Sequence, residues 1–120
     1  MANEISVTTG FRCVNGLLSA TAQTKTTSFN QTTARGGGPG VVDVGTTEET
    51  ISFGDIVPGF VRCTNLDATN FVHLRFSTGV NGPRLRANGG VALFEMPTGG
   101  TLRAIADTAS CRVLIEAINT

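Results

Sequence analysis

Apolar and polar residues alternate with a period of two in several stretches of the chain. The pattern is clearest in Glu4–Val14, where Ile5, Val7, Thr9, Phe11 and Cys13 share one face and Ser6, Thr8 and Arg12 the other. This predicts a long strand, kinked at Gly10. Asn15-Gly16 then gives a hairpin signal, because both residues tolerate positive φ, and a partner strand is expected at about Leu17–Thr27. Further short strands are predicted at Val41–Thr46, Thr50–Phe53, Phe60–Asn65, Phe71–Phe76, Arg84–Arg86, Val91–Met96, Thr101–Ala106 and Cys111–Ile118. Between them lie turn-forming clusters: Asp55–Gly59, Asn65–Asn70, Gly79–Pro83, Asn88-Gly89-Gly90 and Pro97–Gly100. Asx-type hydrogen bonds are expected to close the Asn65–Asn70 turn and make its flanking strands antiparallel neighbours. The last strand has apolar residues on both faces, so it is either central in its sheet or in contact with a partner.

Eight to ten short antiparallel strands with turn signals about every eight to twelve residues predict an all-β fold, a β-sandwich or jelly roll. Little or no helix is expected, since no stretch sustains apolar residues at helical spacing. Composition agrees, with 18 Thr, 15 Gly and eight Asn in 120 residues, types that suit pleated surfaces and tight turns. The length fits one domain, expected over residues 1–120. Residues 19–35 are nearly all polar and can bury only a thin stripe. With Gly36–Gly40 read as a flexible connector, 19–40 forms a candidate extended arm and Gly-rich loop.

Charge narrows the function classes. Nine basic and nine acidic residues balance, and only 15% of residues are charged, so no global field draws the chain to nucleic acid or anionic lipid. No apolar run reaches membrane-spanning length, and the start MANEISVTTG lacks the basic and apolar regions of a signal peptide. Neither membrane insertion nor bacterial export is indicated.

The sequence offers no catalytic constellation, so no enzyme activity is expected. His73 is the single histidine, no serine lies in a Gly-x-Ser-x-Gly elbow, and the carboxylates fall mostly in or beside turns. Gly36–Gly40 is followed by neither Lys-Ser/Thr nor a predicted helix, which argues against a phosphate loop. Cys13, Cys63 and Cys111 lie about fifty residues apart, without the close pairs of zinc or redox motifs. Each adjoins an arginine, and strand alternation turns the thiols inward and the guanidiniums outward. Reduced, buried thiols are the principal reading, with a three-thiolate site or a disulfide as alternatives. No metal or cofactor is expected.

Eight arginines against one lysine, spread along predicted strands, leave an interface role and simple solvation both open. The candidate interface residues are Arg62, Arg103, Arg112, Leu114 and Ile118.

Four stretches carry a resemblance: Glu4–Gly16 (EISVTTGFRCVNG), Gly45–Ile56 (GTTEETISFGDI), Asn65–Val72 (NLDATNFV) and Pro97–Ala109 (PTGGTLRAIADTA). Together they resemble small virion structural proteins of tailed bacteriophages, in which an NLD-TN turn and a late L-A-ADTA segment recur in this order. The resemblance implies a β-sandwich made in the host bacterial cytoplasm and carried on the virion. Capsid decoration (a cement protein on the outer capsid surface, binding the major capsid protein) is the favoured post, and lattice geometry suggests a homotrimer. The alternatives are a neck, head–tail or tail-associated protein, or a host-surface or carbohydrate-binding module.

Overall fold

The computed structural model describes residues 3–16, 18–32 and 34–120, with the backbone alone for residues 12–15 and 18–23. The chain divides into two compact units, Met1–Thr32 and Thr33–Thr120.

The first unit is a two-stranded antiparallel ribbon, β1 (Ile5–Asn15) with β2 (Leu18–Phe29). The hairpin expected at Asn15-Gly16 forms, with Gly16 at a φ of 60°. Register shifts between Thr9 and Phe11, where Gly10 faces two residues of β2, so the expected kink is a β-bulge. Thr8 and Thr26 join their hydroxyls across the ribbon at 2.9 Å.

The second unit is an eight-stranded sandwich. Its strands are β3 (Gly36–Val44), β4 (Glu49–Thr50), β5 (Phe60–Asn65), β6 (Val72–Arg75), β7 (Arg84–Leu85), β8 (Val91–Glu95), β9 (Arg103–Ala106) and β10 (Cys111–Ile118). One sheet has the order β3-β10-β5-β8 and the other β4-β9-β6-β7. The pairs β3/β10, β4/β9, β5/β8 and β6/β7 are all antiparallel. The chain therefore runs as one long hairpin with its tip between β6 and β7. The further pairs β5/β10 and β6/β9 roll that hairpin into two sheets, which is the connectivity of a jelly roll.

Alternation fills the space between the sheets. Val44, Val61, Cys63, Cys111, Val113, Ile115 and Ala117 project from the first, and Val72, Leu74, Leu85, Ala104 and Ala106 from the second, all buried in one cluster with Leu102 and Met96. The all-β expectation holds, and no helix occurs among the described residues. As the sequence predicts, Cys63 and Cys111 are buried free thiols while Arg62 and Arg112 face out. The side chain of Cys13 lies outside the described residues. The last strand is central, between β3 and β5.

Three expectations are corrected. Phe60–Asn65 and Phe71–Phe76 are not neighbours: β5 and β6 belong to opposite sheets, and the turn between them crosses from one to the other. Gly36–Gly40 is no free connector but the first half of β3, paired with Ile115–Ile118 of β10. A Cβ on Gly36 would lie 2.5 Å from Ile118 Cγ2, so the glycine permits close strand approach rather than slack. Pro39 is tolerated because β3 is an edge strand. Finally, the sandwich spans residues 33–120 rather than the whole chain, and the expected arm at 19–40 is split. Residues 19–29 pair with β1 in the ribbon, and 36–40 belong to the sandwich.

Candidate functional site

Because β10 turns Cys111, Val113, Ile115 and Ala117 inward, Arg112, Leu114, Glu116 and Ile118 must stand on the outer face of their sheet. Register aligns them with neighbours. Leu114 lies in a row with Val41, Thr64 and Val91; Glu116 with Pro39, Arg62 and Leu93; and Ile118 with Phe60 and Glu95. Arg112 is opposite Asp43. Val41, Val91 and Leu93 are 48%, 60% and 39% exposed, so the face presents apolar rows to solvent.

A charged pair occupies the middle of these rows. Arg62 donates from Nε and Nη2 to Glu116 Oε1, at 2.9 and 2.6 Å. Both side chains are substantially exposed, so the pair adds little stability. Its effect is to fix the guanidinium plane between apolar neighbours, an arrangement suited to contact with another protein surface.

Of the five candidate interface residues, Arg62, Arg112, Leu114 and Ile118 therefore share this face. Arg103 does not: it stands on β9, in the other sheet. There its Nε lies 3.6 Å from Glu48 Oε2, while Glu48 Oε1 accepts from Arg75 Nη1 at 3.0 Å and from the Gly79 N–H at 2.9 Å. Arg75 Nε also donates to Asn81 Oδ1 at 2.9 Å. The Gly79 N–H, then the Arg75 guanidinium, hold the Glu48 carboxyl below its ordinary pKa. This cluster ties the β3–β4 and β6–β7 loops to β6 and β9, so Arg103 serves the fold. Sequence reasoning missed Val41, Phe60, Val91 and Leu93. Each is a strand residue alternating with inward-facing ones, and that alternation is the signal that could have found it.

On the same outer face as Arg103, Arg84 lies 4.5 Å from the centroid of Phe71, whose ring meets His73 edge-on at 5.1 Å. His73 Nδ1 is buried without a hydrogen-bond partner among the described residues.

The NLDATN segment also proves to be scaffold. Asn65 is fully buried; its Nδ2 donates to the carbonyls of Asn70 (2.9 Å) and Leu85 (3.1 Å), and its Oδ1 accepts the Asp67 N–H (2.9 Å). Asp67 Oδ2 accepts the N–H groups of Asn70 and Thr69 at 2.7 and 3.0 Å. These bonds hold its carboxyl below its ordinary pKa, Asn70 contributing most. The Asx-type closure read from sequence is present. Burial pushes the Cys63 thiol up to about 12 and raises Cys111 as well, so neither is a ready nucleophile. Among the described residues, no three His, Cys, Asp or Glu side chains gather where they could hold a metal ion.

No protein-family model, curated protein or solved structure matches the chain.

Proposed function

We propose that this chain is a structural virion protein of a tailed phage that decorates and stabilises the capsid shell, seating the outer face of the β3-β10-β5-β8 sheet on the major capsid protein. The observation that carries the reading is the gathering of Arg62, Arg112, Leu114 and Ile118 with exposed Val41, Val91 and Leu93 on that one face. Exposed apolar rows around an oriented arginine are what a protein-binding surface needs, apolar area for the desolvation gain and a planar donor for registry.

Two further features support it. The resemblance to phage virion proteins rests on turn and strand residues, and in the Asn65–Asn70 turn those residues hold the fold, as a structural protein requires. The ribbon of residues 1–32 offers a second attachment. An isolated two-stranded hairpin is marginal in water and gains order from whatever it contacts. A homotrimer at three-fold positions belongs to the same reading, since three equivalent contacts multiply weak ones.

Reconstruction of particles carrying this chain tests the reading. Density over the shell, in three-fold groups and with the β3-β10-β5-β8 face inward, is the expected result. Density confined to the portal vertex or tail would overturn decoration in favour of a neck or tail post. Density on distal fibres would favour a host-surface module. Arg62→Ala and Arg112→Ala should lower shell occupancy while changing the chain's own stability by less than about 0.5 kcal/mol.

A further inference from the structure

The sandwich has four sheet edges, and three are blunted. β3 carries Pro39 and four glycines along its paired length, and β4 and β7 are two residues long. Such devices keep a sheet from accepting further strands. β8 has none of them: Val91-Ala92-Leu93-Phe94-Glu95 is regular, without Gly or Pro, and its one charge lies at its end.

The β5/β8 register shows which backbone groups remain open. The Asn65 N–H donates to the Gly90 carbonyl and the Met96 N–H to the Gly59 carbonyl, at 2.9 and 2.7 Å. Antiparallel alternation then directs Ala92 and Phe94 toward β5, and Val91, Leu93 and Glu95 away from it. The N–H and C=O groups of these last residues have no hydrogen-bond partner among the described residues.

We infer that β8 is a self-pairing edge, taking the β8 of a second copy of this chain antiparallel about a two-fold axis at Leu93. The open groups are symmetric about that residue, so one register satisfies all of them: Leu93 pairs with the partner's Leu93, and Val91 with the partner's Glu95. On the inner face, small Ala92 comes opposite the partner's Phe94. The two Glu95 carboxylates sit at opposite ends, four residues apart along the strands or about 14 Å, beyond the screening length of about 8 Å. No like charges meet. The two sheets become one across the axis, and the exposed Val91 and Leu93 of both copies form one apolar strip. Pairing over five residues buries less than the roughly 1,200 Å² of a standard stable interface, so the dimer is reversible in solution and strengthens wherever copies are held side by side. This inference does not rest on the virion reading, and it is compatible with three-fold seating because it links neighbouring groups.

Cysteine cross-linking of the isolated full-length chain tests the register. An antiparallel hydrogen-bonded pair holds its Cα atoms about 5.5 Å apart, within disulfide reach. Leu93→Cys should therefore form a covalent dimer under mild oxidation, with peptide mapping placing the bond between the two substituted positions. Val91→Cys alone should not, whereas Val91→Cys mixed with Glu95→Cys should. Unchanged circular dichroism and unfolding midpoints establish that the variants are folded, as expected for exposed side chains. Sedimentation of the unaltered chain should show a dimer growing toward millimolar concentration, and Leu93→Lys should abolish it by setting two ammonium groups face to face. Equal cross-linking at 91 and 93, coupling of the substituted position 93 to Cys13 of another copy, or a monomer at every concentration would each overturn the proposal. Cross-linking to Cys13 would assign the edge to the partner's ribbon instead.

Discussion

Asn65 spends its whole side chain on the backbone of two other segments, and its amide is what fastens the crossover between the sheets. Replacing it with Leu removes both donors and the acceptor. The carbonyl of Leu85 then loses its partner at a buried position, and the carbonyl of Asn70 and the N–H of Asp67 lose theirs at part-buried ones. Asn65→Leu should cost about 3 kcal/mol, read as a lower urea midpoint at unchanged slope. An unchanged midpoint would mean that the crossover is held elsewhere. Part of this was legible: two Asx residues spaced as in Asn65-Leu66-Asp67 announce a local turn. The bond to Leu85 was not, because it spans twenty residues and depends on how β7 returns. The inward cysteines were legible for a different reason, since alternation fixes sidedness without reference to any distant residue.

At the scale of elements, glycine marks close approach as well as slack. A Cβ on Gly90, in the turn entering β8, would stand 2.3 and 2.5 Å from the backbone N and O of Arg86. Backbone atoms cannot rotate aside as a side chain can. Gly90→Ala should therefore displace the turn and destabilise the fold by about 2–4 kcal/mol, measured by thermal or denaturant unfolding. Gly36 in β3 follows the same logic against Ile118. Sequence reading gave Gly36–Gly40 to a loop because local propensity disfavours glycine in strands, whereas pairing with β10 overrides propensity there. Strand positions were read well for β5, β8 and β10, whose apolar alternation is strong. Strand neighbours were read correctly for the β1/β2 hairpin but not for β5 and β6, which lie in opposite sheets.

The whole molecule joins two units of unequal self-sufficiency. The sandwich encloses a continuous core, while Ile5 is the one buried residue among the described side chains of residues 1–32, and Phe11 is 69% exposed. Amides of β1 and β2 should exchange hydrogen through local opening, far faster than those of β5 and β10, which need global unfolding. If the particle reading holds, the ribbon should gain protection on assembly. Equal strong protection of ribbon and sandwich in the free chain would contradict this.

What the sequence determined by itself is everything carried by near neighbours: the all-β class, most strand positions, the hairpin at Asn15-Gly16, the Asx turn, and the inward side of Cys63 and Cys111 on their strands. These follow from backbone sterics and a period of two, which act within a few residues. Tertiary structure alone decided the division between ribbon and sandwich, the placing of β5 and β6 in opposite sheets, and the assignment of Arg103 to Glu48 rather than to the shared face. It also decided which edge stays open. These are matters of pairing between residues far apart in sequence, and a strand's own residues fix its faces but do not name its neighbours.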